Sequence, residues 1–99
     1  MIILGEAESK IRLSNFSIQN VTIKNEISLI TIEESNIIIS NASFSNIVTG
    51  NSSDIISCSF NSELIINNLA IDNIFGSFLR IDTSKVNLYN AEIRNSGLI

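Results

Sequence analysis

The chain has 99 residues, 44% of them hydrophobic and 16% charged, with a net charge of −4. That is one folded domain, too apolar to be disordered, and its six basic residues are scattered singly, unlike the clustered Lys and Arg of a nucleic-acid surface. No apolar run nears the ~18 residues of a membrane helix, MIIL is too short and too soon followed by Glu6 and Glu8 to be a signal peptide, and the lone Cys58 excludes an internal disulfide.

Abundant isoleucine with no proline favours strands over helices. The first organised stretch is SKIRLSNFSIQN at 9–20, in which Ile11 and Leu13 alternate with polar residues, Asn15 interrupts, and Phe16 and Ile18 resume the alternation before Asn20. A period of two on both sides of an asparagine predicts two short strands joined by a bend, with the apolar residues on one inner side. Asparagine suits the bend because it tolerates the left-handed backbone and carries both a donor and an acceptor. After a variable interval, Ile30-x-Ile32 predicts a third strand that closes the loop.

The same phrase returns as SNIIISNASFSN at 35–46, SELIINNLAIDN at 62–73 and SKVNLYNAEIRN at 84–95. Its starts at Ser9, Ser35, Ser62 and Ser84 lie 26, 27 and 22 residues apart, the spacing of a solenoid with one supersecondary unit per repeat. Third strands recur at Ile56-x-Cys58 and Leu79-x-Ile81, which makes Cys58 a small buried hydrophobe at an isoleucine position. The expected fold is all-β: a right-handed parallel β-helix of three short strands per coil and about 3.5 coils, spanning residues 1–99 as one segment. Identical side chains one coil apart predict two asparagine ladders, one through Asn15, Asn41, Asn68 and Asn90, the other through Asn20, Asn46, Asn73 and Asn95. The intervals VTIKNEISL, IVTGNSSDI and the shorter IFGSF, between the second asparagine and the third strand, are expected as solvent loops. MIIL reads as the end of a third strand and SGLI as the start of another, so the solenoid is expected to continue into flanking coils of the same chain or into a stacking partner.

With its polar start, its paired apolar alternations and its N-Φ-x-Φ-x-N close (Φ apolar), the phrase resembles the parallel β-helix repeat of the pectin-lyase-like superfamily. The stretch GSFLRIDTSKVNLYNAEIRN at 76–95 matches a full coil, and IISCSFNSELIINNLAIDN at 55–73 matches with one extra residue after Cys58. The repeat is also similar to those of large surface adhesins and outer-membrane passenger domains. The resemblance implies the fold and, through the adhesins, an extracellular or cell-surface setting; it leaves activity open, since such folds include lyases, hydrolases, adhesins and spacers.

Enzymes of this shape work on an outer strand face lined with carboxylates. Here the outer row of the third strand reads Thr31, Ser57, Arg80, ending at Glu33, Glu34 and Asp82. Glu33 and Asp82 fall two coils apart, about 10 Å, against the roughly 5 to 9.5 Å of glycosidase carboxylate pairs. The chain has no histidine, so an imidazole base and the common zinc sets are excluded, and no metal or cofactor is expected. Threonines 22, 31, 49 and 83 do not form the regular rows of an ice-binding face. Glycosylation sequons occur at Asn15, Asn20, Asn41 and Asn51; those at Asn15 and Asn41 coincide with a ladder, leaving Asn51 as the accessible one. Two apolar rows are candidate interaction surfaces: Ile38 with Ile65 on the outer face of the first strand, and Leu29, Ile55 and Phe78 near the loop corner. The expected function is therefore a structural or adhesive scaffold without its own catalysis, contacting flanking coils or a lateral protein partner, with no nucleic acid and no membrane insertion. The alternatives are a piece of a polysaccharide lyase or glycoside hydrolase, and an internal subunit of a large assembly.

Overall fold

Asn15, at φ 56°, turns the chain between two apolar pairs without ending the strand that carries them. The computed structural model describes residues 2–4, 10–24, 27–50 and 52–98. The elements are β1 (Ile2–Leu4), β2 (Lys10–Ile23), β3 (Ser28–Glu33), β4 (Asn36–Thr49), β5 (Asp54–Ser59), β6 (Glu63–Ile81), β7 (Lys85–Arg94) and β8 (Gly97–Leu98). Every pairing is parallel: β2, β4, β6 and β7 stack in order along one set of walls, and β1, β3, β5 and the second half of β6 along another. The chain is a parallel β-solenoid of about three turns.

Register follows the repeat. Ile11, Ile37, Leu64 and Val86 form one column, and Ile18, Phe44, Ile71 and Ile93 another; Ile30, Ile56 and Leu79 align on the third strand, with Ile32, Cys58 and Ile81 beside them. β1 adds Ile2 to the column of Ile30 and Leu4 to that of Ile32, as a third strand should. A parallel sheet that closes on itself buries its inner side chains completely, and Ile32, Ile39, Phe44, Cys58 and Ile66 are all 0% exposed. Phe44 anchors the middle, edge-on to Phe16 at 6.0 Å and to Phe78 at 5.3 Å between ring centroids.

Three expectations need correction. The interval after the second asparagine is not all loop: Val21–Ile23 pairs with Ile47–Thr49, and Ile47 and Val48 pair with Ile74 and Phe75. Ile23, Ile47 and Ile74 are buried there, so the wall extends before the chain departs. Outside the strands lie Lys24, Ile27, Gly50, Ser52 and Ser53, and residues 25, 26 and 51 are outside the described set. Second, Ile55 and Phe78 are no surface row. They are 0% and 6% exposed, with Leu29 packed against the same core, because the chain re-enters the wall with both Ile55 and Ile56 facing inward and the Phe78 ring fills the space beside Phe44. Third, SGLI does not start a third strand; Gly97 and Leu98 pair with Phe75 and Gly76, in the wall segment that leads to one.

The shortened interval depends on Gly76. At φ 118° it lets β6 turn into the third strand with no loop at all. A Cβ there would run into Thr49 Oγ1 and stand 3.1 Å from the Thr49 carbonyl oxygen.

Candidate interaction face

Both asparagine ladders form. Asn41 Nδ2 donates to Asn15 Oδ1 at 3.0 Å, Asn68 to Asn41 at 3.0 Å and Asn90 to Asn68 at 3.2 Å. In the second ladder Asn46 donates to Asn20 at 3.1 Å and Asn73 to Asn46 at 2.6 Å. All eight asparagines have φ between 48° and 61°, the left-handed corner their position demands. The last rung departs from expectation: Asn95 Nδ2 donates to Asp72 Oδ1 at 3.1 Å instead of to Asn73, since a carboxylate is the stronger acceptor within reach. The sequons at Asn15, Asn20 and Asn41 thus coincide with amides engaged in rungs, while Asn51 lies outside the described residues.

The third corner has its own ladder, which the repeat announced without revealing its job. Ser35, Ser62 and Ser84 open successive phrases, and Ser35 and Ser62 are 2% and 3% exposed. The Ser35 N–H donates to Ser62 Oγ at 3.1 Å and the Ser62 N–H to Ser84 Oγ at 3.0 Å. Each hydroxyl in turn donates to a carbonyl just upstream in its own coil: Ser35 to Glu33 and Ser62 to Ser59, both at 2.7 Å, and Ser84 to Asp82 at 3.0 Å. Ser96 repeats the device after the second asparagine corner, accepting the Ile74 N–H at 3.0 Å. The signal was the constant Ser at the head of each phrase, a small side chain with both a donor and an acceptor at a corner. Ser9, the first of the series, lies outside the described residues.

The outer face of the first wall is where unlike chemistries meet. One row runs Lys10, Asn36, Glu63, Lys85 and the next Arg12, Ile38, Ile65, Asn87, each in direct register. Ile38 and Ile65 are half-buried on the floor of a shallow groove whose rims carry Lys10, Arg12 and Glu63. A second depression, floored by Asn36, Asn61 and Thr83, adjoins the first through Lys10 and Asn36. Phe60 stands over it, 58% exposed at φ 56°, because the extra residue after Ser59 bulges that one corner. The arrangement offers an aromatic knob, an aliphatic floor and a charged rim, the makings of a protein contact.

The third wall places Thr31, Ser57 and Arg80 side by side, with Glu33 against Ser59. Glu34, Arg80 and Asp82 are exposed, and Asp82 accepts a hydrogen bond from Thr83 Oγ1 at 3.2 Å. No described group of three His, Cys, Asp or Glu residues is placed to hold a metal ion. Burial pushes the Cys58 thiol up from its ordinary value, opposed by a hydrogen bond with Ser84, so the thiol belongs to the core and not to a reactive surface. Among the described residues no helix is long and apolar enough to cross a membrane. No protein-family model, curated protein or solved structure matches the chain.

Proposed function

We propose that the chain is a structural or adhesive β-helix segment of the pectin-lyase-like kind, which acts through its outer face and has no catalytic activity of its own. The observation that carries this reading is the aligned pair Ile38 and Ile65, half-buried between Lys10, Arg12 and Glu63 and next to the exposed ring of Phe60. A rigid wall holds these side chains at fixed spacing, so a partner meets them without an ordering cost in the scaffold. The outer rows do not repeat one chemistry from coil to coil, which suits recognition of a shaped protein surface better than a processive grip on a uniform polymer.

The test has two arms. Beads coated with the chain adhere to a surface of cell-wall and matrix proteins, and Ile65→Asp, on an outer side chain, lowers retention severalfold while the β circular dichroism signal stays unchanged. The same chain leaves polygalacturonate uncleaved with and without calcium. Cleavage that disappears in Arg80→Ala or Asp82→Ala overturns the reading in favour of a polysaccharide-active enzyme.

A further inference from the structure

We propose that the outer row Arg12, Ile38, Ile65, Asn87 is a docking track for an extended segment of a partner protein in which an aspartate or glutamate stands two residues before an aliphatic side chain. The proposal rests on the lateral-face reading above and names the chemistry that this face takes.

The size of the apolar floor decides the kind of occupant. Ile38 and Ile65 lie side by side in register and are half-buried. Polar side chains bound them on every side: Arg12 and Asn87 along the row, Asn36 and Glu63 in the row before, Ser40 and Asn67 in the row after. Such a floor seats about one aliphatic side chain, far short of the roughly 800 Å² that each partner buries in a stable complex of folded proteins. A single extended segment fits it.

Charge decides what accompanies that side chain. The outer rows of this wall carry Lys10, Arg12 and Lys85 against Glu63 alone, so the face is positive in a chain whose net charge is −4. Glu63 stands directly in register with Lys85, which offsets its charge. Lys10 faces Asn36 and Arg12 faces Ile38, neither of which offsets a cation. Two cations thus gather at one end of the floor, where a carboxylate is the complementary group and the Arg12 guanidinium can hold it through two N–H donors.

Spacing sets the order of the segment. Adjacent strands lie about 4.8 Å apart, so the midpoint between Ile38 and Ile65 is about 7 Å from Arg12, and Asn87 is about 14 Å from it. Side chains on one face of an extended segment recur about every 6.8 Å. A segment laid across the strands therefore places its carboxylate at Arg12, its aliphatic side chain two residues later between the isoleucines, and a polar side chain two residues further on against the Asn87 amide. The intervening residues face solvent.

Amide NMR of the nitrogen-labelled chain, titrated with the peptide Ser-Asp-Ser-Leu-Ser-Asn-Ser, tests the track. The resonances of Ile38 and Ile65 shift saturably, and added salt weakens the binding. Peptides with Lys for Asp, with Ser for Leu, or with Leu moved next to Asp each bind about tenfold more weakly. Arg12→Glu changes an exposed side chain and reverses the preference, so that the Lys peptide binds better than the Asp peptide. Equal binding of the peptide with Ser for Leu overturns the proposal, by leaving only anion binding. Concentration-dependent self-association in sedimentation that Ile65→Asp abolishes also overturns it, by placing a second copy on the floor. No saturable shift with any peptide overturns it as well; if bead adhesion persists and still falls in Ile65→Asp, the lateral-face reading stands without the segment.

Discussion

The backbone N–H of Ser35 ends on the hydroxyl of Ser62, 3.1 Å away in the next coil, and both residues are buried. A parallel sheet leaves its corners short of ladder partners, and here a side chain supplies the missing acceptor. Ser62→Ala strands a buried donor, for which the expected cost is about 1–3 kcal/mol. Urea unfolding followed by circular dichroism measures it. Ser84→Ala removes the equivalent bond to Ser62 from a more open coil and costs less.

The asparagine corners separate two contributions that a single substitution confounds. Asn68 sits at φ 60°, donates to Asn41 and accepts from Asn90. Asn68→Gly tolerates the corner and loses only the rungs, whereas Asn68→Ala also forces a Cβ into the left-handed region, a further cost of about 1–2 kcal/mol. The alanine variant therefore unfolds at lower urea than the glycine variant. Equal midpoints would mean that backbone conformation contributes nothing at this corner.

Much of this architecture was legible in the repeat. The period of two placed Ile37, Ile39, Leu64 and Ile66 inside, and the asparagine spacing gave the register, because both are local properties multiplied by stacking. Three features were not legible. Ile55 and Ile56 break the alternation by both facing the core, since a chain entering from a loop is not bound to the pleat. The Asn95 to Asp72 bond reflects competition between two acceptors in one neighbourhood, which no single repeat displays. The exposed ring of Phe60 arises from one inserted residue, whose direction depends on the corner it bulges.

Gly76 is a position where the backbone demands glycine twice. Its φ of 118° is disfavoured for a side chain, and the space a Cβ would take belongs to Thr49. Thr49 cannot simply yield, because its Oγ1 accepts the Ser77 N–H at 2.8 Å. Gly76→Ala is expected to destabilise by about 1–3 kcal/mol, the usual range for overpacking. Adding Thr49→Ala removes Oγ1 but leaves its own Cβ at 3.0 Å and the carbonyl oxygen at 3.1 Å from the new methyl group, keeps the unfavourable φ and strands the Ser77 donor, so the double variant does not recover the wild-type unfolding midpoint.

Cys58 makes stability fall in alkaline solution. Desolvation raises its thiol pKa in the folded chain above the ordinary value of 9.0, against the smaller opposing effect of the Ser84 hydrogen bond. Between the unfolded and the folded pKa the unfolded chain has released the thiol proton and the folded chain still holds it. The contribution is thus fully present below that ordinary value, which the unfolded chain keeps, and is lost progressively as pH rises towards the folded pKa. The informative quantity is a difference between two proteins. Urea midpoints of the wild type and Cys58→Ala are compared at pH 7 and pH 10. The alanine variant is less stable at both, through the cavity it leaves at a fully buried position, but it loses less between them. A parallel loss in both proteins would show that the thiol titrates alike folded and unfolded, and a disulfide reagent that modifies the native chain as fast as the urea-unfolded one would show that the Cys58 column opens to solvent.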